Sequence, residues 1–176
     1  MNKSGFTLLE LMISIVVILI LAAAVLGGTG SVMQNLRFGN AFNKIVFMVQ
    51  SVRSMALIAK GDIAVYGIAF TQPNVDGFGA VETFSQSADD QKTVLESFIL
   101  PSNINSYFYA AKSANVDISC GNSAGVTFER GTVRVTFDCG GQSPTEPVVV
   151  FGLKEKVGTR SKSFRVHKQT GMPQMP

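Results

Sequence analysis

From Phe6 to Leu26 the chain is apolar except at Thr7, Glu10 and Ser14. About 20 such residues at 1.5 Å rise cross a hydrocarbon core of roughly 30 Å as a helix. Beyond Gly30 the pattern changes: Phe38, Phe42, Ile45, Val49, Val52, Ala56 and Ala59 recur alternately four and three apart, which places them in one stripe on a second helical stretch. Lys60 in the last turn and Gly61 just past it form a C-terminal stop. The two patterns predict one long helix with a membrane half, residues 6–28, and an amphipathic half, residues 29–61. Gly27, Gly28 and Gly30 lie at the junction, each weakening a helix by about 1 kcal/mol relative to Ala.

After Gly61 the period shortens to that of strands. These are predicted at Ile63–Phe70, Val94–Leu100, Ile104–Ala110, Gly125–Glu129, Thr132–Phe137, Val148–Leu153 and Ser163–His167, with Arg130-Gly131 as a two-residue hairpin turn. Gln72 to Lys92, with its Pro, Asn, Gly, Ser and Asp content, reads as an exposed loop. The predicted fold class is α+β: a long N-terminal helix laid on an antiparallel β-sheet head formed by residues 62–176.

The length of 176 residues suits one membrane segment and one globular head, and the apolar excess is concentrated in the first thirty residues. A formal charge of +3 is too small to imply a polyanionic partner by itself, but charge is unevenly placed. Asp62 to Leu100 holds six acids against the single Lys92, a balance of −5; Lys154 to Lys168 holds six bases against Glu155, a balance of +5.

A five-residue polar leader, Met1-Asn2-Lys3-Ser4-Gly5, precedes the apolar run. Lys3 orients the span, with the leader in the cytoplasm and the head outside. The run is too long for the apolar core of a secretory signal, and Ala22-Ala23-Ala24 is followed by further Val and Leu. Glu10 lies one helical turn inside, where a charge costs on the order of 2.5–3.5 kcal/mol at the bilayer centre and less near its edge.

The nine residues from Lys3 to Leu11, KSGFTLLEL, resemble the type IV prepilin signature: basic leader, Gly before a cut, Phe after it, and Glu at the fifth mature position. The resemblance implies cleavage between Gly5 and Phe6 by a prepilin peptidase and N-methylation of the new Phe6 amine. It also implies a bacterial inner-membrane protein crossing once, with a periplasmic head, that later enters a filament. The absence of a side chain on Gly5 suits a tight protease groove. The amine created on Phe6 can pair with Glu10 of a neighbouring subunit, each charge offsetting the other's burial and fixing register. Many major pilins carry a Pro in this helix; here glycines occupy that region. The succession of the Phe42–Ala59 stripe, Arg53-Ser54-Met55-Ala56 and Val65-Tyr66 is similar to the GspH/FimT-like branch of minor pilins and pseudopilins.

Cys120 and Cys139 make an even count in a domain expected outside the cytoplasm, and they are expected to pair. A metal pair lacks further ligands, because His167 stands alone. No nucleophile and base, and no carboxylate pair beyond the loop residues Asp89-Asp90, suggests an enzyme, and no cofactor is implied.

Two functions compete. The first is a structural minor pilin or pseudopilin, whose partners are other pilins or pseudopilins, prepilin peptidase, an inner-membrane assembly platform and membrane lipid. The second is a pilin-like subunit that holds DNA through Arg160, Lys162, Arg165 and Lys168, beside His167. In a strand, Lys162, Phe164 and Val166 face one way while Ser163, Arg165 and His167 face the other, which weakens a dedicated DNA groove.

Overall fold

The computed structural model describes residues 7–59, 61–71, 79–111, 118–120, 123–132, 134–143, 146–156 and 158–175, without the side chains of 25–29, 31, 109–111 and 118–119. The expected cleavage site, Gly5 and Phe6, lies outside these residues. So does Lys60. The chain divides into two compact units, Met1–Gly39 and Asn40–Pro176. One helix, α1 (Leu8–Ile58), begins in the first and ends in the second, and its backbone is unbroken through Gly27, Gly28 and Gly30.

In the first unit every described side chain from Thr7 to Ala24 is exposed. Among the described residues no helix is long and apolar enough to cross a membrane. The described helical part of the expected span, Leu8 to Gly28, measures about 31 Å at 1.5 Å per residue. Both ends of that span fall on residues or side chains outside the description.

The second unit is built from two five-stranded antiparallel sheets and the last turns of α1. The first sheet has the order β3-β2-β1-β6-β7, formed by β1 (Ile63–Thr71), β2 (Ala80–Ser87), β3 (Lys92–Ile99), β6 (Ser123–Glu129) and β7 (Val135–Cys139). The second has the order β10-β9-β8-β4-β5, formed by β4 (Ile104–Ala111), β5 (Ile118–Ser119), β8 (Val148–Glu155), β9 (Ser161–His167) and β10 (Pro173–Gln174).

The stripe read on the second helical stretch is the buried face of α1: Phe42, Ile45, Val49, Val52 and Ala56 are all nearly inaccessible. Five phenylalanines tie the layers together. Phe70 of the first sheet stacks on Phe151 of the second at 4.5 Å between centroids, Phe151 stacks on Phe164, and Phe164 meets Phe42 of α1 edge-on at 5.9 Å. Phe108 closes the group against both Phe70 and Phe151. Such contacts add about 0.5–1.5 kcal/mol per pair beyond the burial itself.

The end of α1 is anchored by the head's loops. The carbonyl of Ala56 accepts from the amide of Gly131 at 2.9 Å, and Arg53 Nε donates to the carbonyl of Thr170, also at 2.9 Å. Gly171 follows with φ +62, and a Cβ there would press on Phe128 and Val135, so that turn needs glycine for both reasons.

Two expectations are corrected. The loop expected over Gln72–Lys92 contains β2, paired with β1 from Ile63↔Ser87 to Thr71↔Ala80. Its buried positions are Val81, Thr83, Phe84 and Ser85, so two of the four buried side chains are polar and three are consecutive, which hides the alternation from hydropathy. The two-residue turn at Arg130-Gly131 is instead a wider connection. The last cross-strand pair is Phe128↔Val135, and the Glu129 amide donates to the Arg134 carbonyl across it.

Candidate functional site

The first turn of α1 is built around Thr7 and Glu10. The Thr7 hydroxyl accepts from the Glu10 amide at 3.3 Å, while the Glu10 carboxylate accepts from the Thr7 hydroxyl at 3.3 Å and from the Thr7 amide at 3.4 Å. This reciprocal arrangement is a capping box: each side chain satisfies a backbone amide that the helix start leaves without a partner. The carboxylate also sits at the positive end of the helix dipole. One turn on, the Ser14 hydroxyl donates to the Glu10 carbonyl at 2.8 Å. The three polar side chains of the apolar run thus bond within the helix, which lowers the cost of holding them in apolar surroundings. Thr7 and Ser14 were read from sequence only as interruptions of the run, although the T-x-x-E spacing of Thr7 and Glu10 carries the capping signal.

In the head, Cys120 and Cys139 form a disulfide. Cys120 directly follows β5 and Cys139 ends β7, the outermost strands on one side of the two sheets. The bond therefore joins the two sheets beside edges that carry no further strand among the described residues.

The cations of the C-terminal stretch are brought onto one strand but not to one point. Arg160 Nη1 lies 3.4 Å from Oε1 of the buried Glu155. Lys162 faces α1, with Nζ 5.6 Å from the Phe42 ring centroid. Arg165 is exposed between the buried Phe164 and Val166, and Lys168 is exposed in the turn after β9. His167 is half-buried at the end of β9.

Asp89 and Asp90 are exposed at the turn between β2 and β3, where Asp90 takes φ +59 and accepts from Gln86 Nε2 at 3.0 Å. Among the described residues no three His, Cys, Asp or Glu side chains are grouped to hold a metal ion.

The model for the prokaryotic N-terminal methylation motif matches residues 1–26. No curated protein matches the chain. No solved structure matches it either. The matched residues include the expected cut and the first turns of α1 with Glu10, and the last turns of α1 pack on an antiparallel β head; the chain carries the N-terminal methylation motif of type IV prepilin-like proteins.

Proposed function

We propose that this chain is a structural minor pilin or pseudopilin. Prepilin peptidase cuts it between Gly5 and Phe6, the Phe6 amine is methylated, and the subunit is held in the inner membrane by residues 6–28 until it joins a type IV pilus or a type II secretion pseudopilus. The observation that carries this reading is the methylation motif over residues 1–26 leading directly into α1. Cleavage leaves a cationic amine on Phe6, four residues before the helix position of Glu10. In a bundle of such helices that amine and the Glu10 carboxylate of an adjacent subunit neutralise each other, and the pairing sets how far one helix slides along the next.

The apolar side chains of α1 support the same reading. Leu8, Leu9, Met12, Ile13 and Val16 are exposed in the single chain, and α1 further on exposes Phe47 and Ile58. Surface of this kind calls for lipid or neighbouring helices. The subunit's role is structural: its partners are other pilins or pseudopilins and an inner-membrane assembly platform. The DNA reading is the weaker one, because Arg160 is engaged by Glu155 and Lys162 and Arg165 point to opposite sides of β9.

The test is incorporation into sheared filaments of cells expressing the full chain. Wild-type protein should appear in the filament fraction at its processed size, and Gly5→Arg should leave full-length protein in the membrane. A Gly5→Arg protein that reaches filaments at the processed size would contradict the assignment.

A further inference from the structure

Among the strand edges of the head without a neighbouring strand in the described residues, those of β3 and of part of β9 are set apart by their side chains. β3 is an outermost strand of the first sheet, paired only with β2. Its side chains are exposed along nearly its whole length, including the apolar Val94 (49%), Leu95 (46%) and Ile99 (64%). The pairing slips between Thr83↔Glu96 and Phe84↔Val94, so Leu95 is the extra residue of a bulge and remains apolar where a charge would blunt the edge. The hairpin that contains β3 carries Glu82, Asp89 and Asp90 against Lys92, while its Glu96 is ion-paired with Lys44 of α1.

The second edge belongs to β9. β10 covers only Arg165 and Val166, through the pairs Gln174↔Arg165 and Pro173↔Val166, so Ser161 to Phe164 has no strand on that side. A groove of about 330 Å³ opens there, lined by Phe42, Asn43, Ser161, Lys162, Ser163 and Met175. It has an apolar wall, two hydroxyls and one cation.

We propose that the β2–β3 hairpin of one copy of this chain adds its β3 edge to the uncovered part of β9 in the next copy. The exposed apolar side chains of β3 meet the exposed Met175 at the rim of the groove, and the acidic hairpin meets Lys162. Main-chain hydrogen bonds supply affinity, and the side chains in the groove supply selectivity. The occupant is a second copy because the complementary charge is on the same chain: Glu82, Asp89 and Asp90 on the hairpin against Lys162 and the exposed Arg165 and Lys168 on and after β9. The two patches differ, so the contact is heterologous and can be repeated by a further copy, as a filament requires. The inference rests on the assembly reading given under Proposed function.

The test co-expresses two full-length chains with distinct tags, one carrying Leu95→Cys and the other Ser161→Cys, followed by mild oxidation and detection of the mixed disulfide dimer. The expected result is a dimer about tenfold more abundant than that from Leu95→Cys with Thr136→Cys, which lies on the far strand β7. Lys162→Glu in the second chain should lower it about tenfold and Lys162→Arg should keep it, because like-charge juxtaposition across an interface is strongly disfavoured. Filaments at wild-type abundance with no more dimer than the β7 control would overturn this docking and leave the assembly reading standing. Loss of both filaments and dimer would overturn both. The dimer without filaments would uphold the docking and contradict the assembly reading.

Discussion

Glu10 and Thr7 hold each other across the first turn of α1, the carboxylate accepting from the Thr7 hydroxyl and amide while the hydroxyl accepts from the Glu10 amide. Glu10 therefore has a local task, starting the helix, besides the proposed pairing with a neighbour. The tasks can be separated. Glu10→Gln keeps a side chain able to cap and removes the charge, whereas Thr7→Val removes the cap and keeps the charge, costing about 0.5–2 kcal/mol at the helix start. Incorporation into filaments should fall for Glu10→Gln and Glu10→Ala alike, with membrane insertion and cleavage retained, and fall less for Thr7→Val. Quantitative blotting of the filament and membrane fractions measures this. Equal loss for Thr7→Val and Glu10→Gln would mean that capping, not charge, is what assembly needs.

The Cys120–Cys139 bond joins the outer strands β5 and β7 across a sequence separation of 19. Cys120→Ser and Cys139→Ser should each destabilise the head by about 3 kcal/mol on the chain-entropy estimate, and by the same amount, because each breaks the same link. Thermal unfolding of the two variants measures the cost. Thiol titration of the denatured wild-type chain, without reductant, should find no free thiol.

Phe151 touches Phe70, Phe108 and Phe164. Phe151→Ala should cost about 3–5 kcal/mol, since it removes the ring through which both sheets meet. Phe47→Ala, on the exposed side of the same helix that buries Phe42, should leave unfolding nearly unchanged. Denaturant titration distinguishes them.

How much of this was legible in the sequence depended on where each side chain's partner lies. Phe42, Ile45, Val49, Val52 and Ala56 announced the buried face of α1 because helical spacing is local and the stripe is uniformly apolar. β7 was legible in part, through Val135, Phe137 and Cys139 alternating with exposed residues. β2 was not, because Thr83 and Ser85 face the core and the strand is recognised only by what β1 and β3 place beside it. The short β5 and β10 carry too few residues for any period. The groove between Phe42 and Lys162 depends on a contact between residues far apart in the chain, which no local pattern encodes. At the N-terminus the position is reversed: the expected processing residues Gly5 and Phe6 are read from the sequence alone and lie outside the described structure.

The basic strand tests the competing function. Arg160, Lys162, Arg165 and Lys168 are spread over both sides of β9 and the turns that flank it, and Arg160 is engaged by Glu155. Each phosphate neutralised contributes about −0.9 to the log–log salt slope on duplex DNA, so two or three contacts give only weak binding at physiological salt. The purified full-length protein in detergent should retard DNA little. Micromolar, salt-dependent retardation that disappears when the four residues are changed to Ala would move the protein to a DNA-uptake role.

The central claim is that the chain is a prepilin whose mature form begins at Phe6. It is tested most directly by mass spectrometry of the N-terminal peptide of the protein recovered from membranes and filaments of its own host. The account predicts a peptide that starts at Phe6, carries one methyl group on its amine, and disappears in Gly5→Arg. A wild-type protein that retains Met1 to Gly5, or is cut elsewhere in the apolar run, would contradict it.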